Sequence, residues 1–220
     1  MANLYVFHQG ANTNGSLWYT WFNGATWSLD TPWGGGMPVQ NLGMSGSPSA
    51  VVWRGGISVL HQGFADSGDL WYSYSPDGQH WGGDTPWGQP NFPVQGLGIS
   101  GSPSAVVYND LLYVFHQGAN ANGSLWYSQF NGDFWTPDTP IRYANMSASP
   151  SAVLWEGGIS VFFQGGGDDG ILWYVYSPDG AYQNFGAPTG WGYPFGPPIT
   201  ASLRMSQSPS CVVYGHRREP

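Results

Sequence analysis

Ser102-Pro103-Ser104-Ala105-Val106-Val107-Tyr108 reads as a short β-branched strand, and the chain repeats it. Ser47-Pro48-Ser49-Ala50-Val51-Val52-Trp53 comes before it and Ser149-Pro150-Ser151-Ala152-Val153-Leu154-Trp155 after it. Ser208-Pro209-Ser210-Cys211-Val212-Val213-Tyr214 is the last copy. Each copy but the last leads into a second apolar stretch ending in Gln-Gly, then into a third carrying Leu-Trp-Tyr. The Trp-Tyr pairs at 18/19, 71/72, 126/127 and 173/174 mark four units. Self-similarity at such a period, with short strands and Gly-rich turns, means propeller blades and not a helical solenoid.

The first unit opens in mid-blade, at Leu4-Tyr5-Val6-Phe7-His8-Gln9-Gly10, and the last Ser-Pro-Ser strand stands alone. Together they make one blade, so the C-terminal strand is expected to pair beside Leu4–Gln9 and close the ring. Closure removes the strand edges that invite aggregation. The expected fold is all-β: a four-bladed β-propeller with four antiparallel strands per blade, one domain over residues 1–220.

The units also alternate. Units one and three share Leu-Tyr-Val-Phe-His-Gln-Gly-Ala-Asn, whereas units two and four share Gly-Gly-Ile-Ser-Val and Tyr-Ser-Pro-Asp-Gly. The ring therefore reads as a two-blade duplication, residues 4–110 and 111–214. Tight turns are expected at Asn109-Asp110, Asn23-Gly24, Asn131-Gly132, Asp77-Gly78 and Asp179-Gly180, because Gly and Asn tolerate positive φ.

Composition removes several function classes. The net charge is −8 with no lysine, and the arginines are Arg54, Arg142, Arg204, Arg217 and Arg218. Nucleic acid needs clustered cations to displace its counterions, so it is excluded as a partner, and an anionic membrane surface is disfavoured likewise. Charged residues are only 8%, but aromatics reach 17%, which argues for a packed core over disorder. Cys211 takes the place of Ala50, Ala105 and Ala152 and reads as a small buried apolar residue without a disulfide partner. No apolar run has the length of a membrane span, and none follows a basic segment as in a signal peptide. The expected location is cytoplasmic, or outside by release without a signal peptide.

His8, His61 and His116 recur, but the fourth unit has Phe163 there. They read as buried structural histidines or as ligand contacts. No His/Cys/Asp spacing suits zinc, and no metal or cofactor is expected. Ser104 and its copies sit on the innermost strand without a His/Asp partner pattern, so they are not nucleophiles. Ser75-Pro76-Asp77-Gly78-Gln79-His80-Trp81 resembles the Asp-box turn of sialidase propellers, minus the residue between Asp and Gly. Sialidase chemistry implies three arginines on a substrate carboxylate, and Arg54, Arg142 and Arg204 fall at unmatched positions.

The segments joining blades carry the sugar-binding chemistry. Asp30-Thr31-Pro32-Trp33 is repeated as Asp84-Thr85-Pro86-Trp87 and as Asp138-Thr139-Pro140-Ile141, while the fourth unit has Trp191 but no aspartate. An aromatic plate stacks on a sugar's C–H face while a fixed carboxylate accepts from its hydroxyls. Trp33, Trp87 and Trp191 are the expected plates, with Asp30, Asp84 and Asp138 as acceptors. The alternative is that Asp-Thr-Pro is a turn and the tryptophans wedge between blades.

These phrases, Ser-Pro-Ser-Ala-Val-Val-Tyr, Leu-Tyr-Val-Phe-His-Gln-Gly and Ser-Leu-Trp-Tyr-Ser, together resemble the blade of β-propeller lectins. The likeness is to Photorhabdus-type fucose-binding lectins and their fungal relatives, over residues 4–214. It implies a multivalent carbohydrate-binding lectin without catalysis. Its partners would be glycans or glycoconjugates, with a homo-oligomer left open. Those lectins commonly have more than four blades, so no site residue is carried over. A weaker resemblance, to four-bladed hemopexin-type domains, implies a protein-interaction scaffold, but their Asp-Ala-Ala-Val start is absent. A glycosidase is the remaining alternative.

Overall fold

The computed structural model describes residues 2–10, 15–32, 43–63, 67–86, 98–119, 123–190 and 205–214. The first sheet holds β1 (Leu4–Gln9), β2 (Leu17–Phe22) and β3 (Thr31–Pro32). The second holds β4 (Met44–Trp53), β5 (Gly56–Gly63), β6 (Leu70–Ser75) and β7 (Thr85–Pro86). The third holds β8 (Ile99–Tyr108), β9 (Leu111–Gly118), β10 (Ser124–Phe130) and β11 (Thr139–Asn145). The fourth holds β12 (Ser151–Trp155), β13 (Gly158–Gln164), β14 (Leu172–Ser177) and β15 (Thr189–Gly190). Every sheet is an antiparallel meander in chain order, as the blade reading requires. Among the described residues no sheet closes on itself.

Hydrogen bonds between innermost strands explain the Ser-Pro-Ser phrase. The Ser47 amide donates to Ser102 Oγ at 2.7 Å, the Ser102 amide to Ser149 Oγ at 2.8 Å, and the Ser149 amide to Ser208 Oγ at 3.0 Å. The second serine works in the opposite direction. Ser49, Ser104 and Ser151 accept from the amides of Ala105, Ala152 and Cys211. The intervening proline has no amide to satisfy. These hydroxyls hold neighbouring blades together.

The Gln-Gly phrase makes the second joint. Gln9, Gln62, Gln117 and Gln164 each donate through Nε2 to the carbonyl that starts the next inner strand, at Met44, Ile99, Met146 and Met205. The amides of those four residues return the bond to the carbonyls of Gly15, Gly68, Gly123 and Gly170. Residues 205–214 therefore sit against the fourth blade as an inner strand sits against its predecessor.

Aromatic side chains fill the space between blades. Trp81 meets Phe7 edge-on, with ring centroids 5.5 Å apart, and packs on Tyr19. Trp135 stacks on Phe130 at 4.8 Å and meets Tyr72, and Phe185 packs on Phe115 and Tyr127. Glycine at the outer turns admits a side chain from the preceding blade. A side chain at Gly78 would collide with the Tyr5 phenol, and one at Gly180 with the Tyr113 phenol. Tyrosine in an odd blade thus requires glycine in the next even one.

The turns differ in part from expectation. Asn109-Asp110 does take positive φ at both residues, 49° and 62°, and Arg54-Gly55 and Glu156-Gly157 do the same. At Asn23-Gly24 and Asn131-Gly132 only the glycine does, because the asparagine carboxamide instead accepts amides two and three residues on. Asp77 makes the equivalent turn in the second blade. The His80 amide, the His80 ring and the Gln79 amide hold its carboxyl well below the usual range. The Asp-box-like stretch is a turn.

Candidate functional site

A cavity of about 830 Å³ opens at the joint between the third and fourth blades. Such a volume lies within the range that small-molecule sites occupy. The third blade contributes Gln117, Tyr143 and Asn145, and the fourth contributes Ser147, Phe163, the Gly165–Gly167 loop, Asp169, Trp173 and Pro188.

Three of the polar side chains there are pinned by hydrogen bonds. The Gln117 carboxamide is held by the Met146 carbonyl, and the Ser147 hydroxyl donates to the Gly165 carbonyl at 2.7 Å. Asp169 Oδ1 accepts the Ile171 amide at 2.7 Å, and Oδ2 accepts the Trp173 indole N–H at 3.2 Å. A carboxylate has lone pairs left after two such bonds. Gly165 is required beneath it, because a Cβ there would strike the Asp169 carboxylate.

Tyr143 stands on the rim, 82% exposed, with φ at +62°. A bulky L-residue in the left-handed region is a true outlier, and such strain gathers where function needs a side chain in one place. Its neighbour Arg142 turns away, donating through Nε to the Tyr182 hydroxyl at 3.2 Å. Among the described lining residues Asp169 alone carries charge.

Two of the expected acceptors occupy a related place. His61 Nε2 lies 3.2 Å from the Asp84 carboxylate, and His116 Nε2 lies 3.0 Å from Asp138 Oδ1. These side chains are 1%, 4%, 3% and 5% exposed, respectively. The other ring nitrogen of each histidine faces a backbone carbonyl, that of Gln62 or Gln117. His8 and Asp30 repeat the geometry at 3.0 Å, but 43% and 47% exposed. The Gln9 carbonyl, and then Asp30, raise the His8 pKa against the opposing effect of burial.

The fourth blade replaces the whole pair. Phe163 takes the histidine's place opposite Trp173, and Pro188 takes the aspartate's place before Thr189. Both of these line the cavity. By the repeat register, the His–Asp pairs stand at the corresponding positions of the other joints. The Asp-Thr-Pro segment also forms the outermost strand, with Thr31, Thr85 and Thr139 paired to Tyr19, Tyr72 and Tyr127. Trp33, Trp87 and Trp191 lie outside the described residues. Ile141, in the third copy, is buried in the core.

Sequence reasoning missed Asp169, Tyr143 and Trp173 as one cluster. A signal for Asp169 was present: four residues before each Leu-Trp-Tyr tryptophan stand Asn14, Ser67, Asn122 and Asp169. Only the last is charged. Nothing in the sequence marked Tyr143, whose position depends on its backbone conformation.

No protein-family model and no curated protein matches the chain. Solved structures do. A lectin of Aleuria aurantia, as a mutant in complex with Fucα1-6GlcNAc, is similar at a TM-score of 0.56 and 20% identity, over 88% of this chain and 59% of the lectin. An α-L-arabinanase of Penicillium chrysogenum complexed with arabinobiose is similar at 0.53 and 14%, over 86% and 58%. A family 117 glycoside hydrolase of the marine bacterium Zobellia galactanivorans is similar at 0.50 and 18%, over 78% and 54%. The chain spans about three fifths of the lectin it matches. The fold is the one that β-propeller lectins use, as the blade phrases implied.

Proposed function

We propose that the chain is a multivalent lectin that binds glycans in the joints between its blades, without catalysis. The observation that carries this reading is the cavity between blades three and four. There the Asp169 carboxylate, the Gln117 carboxamide and the Ser147 hydroxyl are held among Trp173, Tyr143 and Phe163. Pinned polar groups beside apolar faces suit a sugar, which offers hydroxyls on its edges and C–H bonds on its faces. Corresponding joints carry His8–Asp30, His61–Asp84 and His116–Asp138, and in the sequence Trp33 and Trp87 follow the first two pairs and Trp191 follows Pro188 of the fourth unit. In this reading the chain is one domain, closed when residues 205–214 pair with β1. Several weak sites on one ring gain about 10²–10⁴ in effective strength on a clustered glycan surface.

The likeness to glycoside hydrolases favours a second reading, hydrolysis, on fold alone. Glycoside hydrolysis in its usual form uses two carboxyl groups about 5–9.5 Å apart across the bond being cleaved. The described lining of the cavity supplies Asp169 alone. A glycan array with haemagglutination, run beside a fluorogenic glycoside panel, tests the two readings. Array binding without turnover is the expected result, and Asp169→Ala should lose one binding event by calorimetry at a temperature where it stays folded. Turnover, or silence on the array with capture of a protein ligand, would refute the lectin reading.

A further inference from the structure

The chemistry of the cavity separates ligands by charge. The described lining has one carboxylate, Asp169, and no cation. The two described arginines are engaged elsewhere. Arg54 pairs with Asp110 at 3.2 Å and lies over Trp53, and Arg142 lies over Tyr182. Asp169 cannot rotate away from an anionic ligand, because the Ile171 amide and the Trp173 indole hold both of its oxygens. Its three counterparts, Asn14, Ser67 and Asn122, are neutral.

We infer that the joint between blades three and four selects amine-bearing sugars over carboxylate-bearing ones, with Asp169 as the specificity-determining residue. The inference rests on the carbohydrate reading above. An ammonium group on the sugar adds donors and positive charge where Asp169 has lone pairs to accept them. A uronic or sialic carboxylate brings a second anion beside Asp169, where the described lining has no cation to compensate it. Neutral sugars fall between the two.

The test uses the methyl glycosides of glucosamine, N-acetylglucosamine and glucuronic acid, with their galacto counterparts, on the intact protein. The Trp173 indole N–H resonance, assigned through Trp173→Phe, reports this joint separately from the others. At low salt the amine should bind at least tenfold more tightly than the carboxylate, with the N-acetyl sugar between them. The ratio should narrow at high salt, where the Debye length falls to about 3 Å. Asp169→Asn keeps the shape and the acceptor for the Ile171 amide, gives up the acceptor for the Trp173 indole, and removes the charge. In that variant the ratio should fall to within about threefold of unity. A ratio unchanged in Asp169→Asn would overturn the inference and assign the sorting to the net charge of −8. Equal binding of all three by the native protein would overturn it while leaving the lectin reading intact. Failure of every sugar to move the resonance, together with silence on the array, would remove both.

Discussion

Removing the aspartate from each His–Asp pair should destabilise the protein in proportion to burial. Asp84 and His61 are nearly inaccessible, so Asp84→Ala leaves an imidazole nitrogen in the interior with no acceptor. A buried polar group stripped of its partner costs about 1–3 kcal/mol. In a chain of this size each kcal/mol moves Tm by about 2–4 °C, so a loss near 2 kcal/mol means about 4–8 °C. Asp138→Ala should match it, because that pair is equally enclosed. Asp30→Ala should cost about 0–1 kcal/mol, because its pair is nearly half exposed and water replaces the lost bond. The fourth blade supplies the control. Phe163 and Pro188 occupy the same two places with no polar atom to satisfy, so the pair can be removed together. His61→Phe with Asp84→Pro should recover most of what Asp84→Ala loses, giving strong non-additivity in a double-mutant cycle. Thermal and urea melts of the singles and the double provide the measurement. If Asp30→Ala cost as much as Asp84→Ala, or if the effects of His61→Phe and Asp84→Pro simply added, the pairs would not be buried partners.

Ring closure predicts a register. Ala50 faces Val59 and Ala105 faces Val114, so Cys211 should face Val6. Val6→Cys should then form an intrachain disulfide with Cys211, visible as a faster band on a non-reducing gel; a band at twice the mass would mean closure between copies. Stability should hold on a plateau in mildly acidic solution. His8 binds its proton more tightly folded than unfolded, so its contribution is complete below about pH 6.5 and fades as pH rises through the higher folded value. Asp77 and Asp179 are shifted down, mainly by the amides of His80 and Ala181, so their contributions are present above about pH 3.8 and vanish in stronger acid. Denaturant melts from pH 2 to 9 would contradict this if stability rose from pH 7 to 8 in native protein but not in His8→Phe. Tyr143→Gly should relieve the left-handed backbone, raising Tm by about 2 °C, while weakening glycan binding at that joint. Equal binding by native protein and variant would show that the strained tyrosine serves no ligand.

The repeating phrases determined the blades. A strand that pairs in a meander needs only alternation and a turn, and both are local, so Ser-Pro-Ser, Gln-Gly and Leu-Trp-Tyr could be assigned by position. The even–odd alternation was equally legible, whereas the approach of the Tyr5 and Tyr113 rings to Gly78 and Gly180 of the next blade was not. What joins one blade to the next depends on atoms about fifty residues apart, and there the one-dimensional reading ends. It read His61 as a core residue or a ligand contact and Asp84 as a sugar acceptor without joining them, and the structure sets their side chains 3.2 Å apart and nearly buried. The simultaneous change to Phe163 and Pro188 in the fourth unit was the trace of that pairing in the sequence. Asp169, Tyr143 and Trp173 share no motif, because each belongs to a different part of its own blade. Only the packing of two blades side by side brings an acceptor, a strained aromatic and an indole around one cavity.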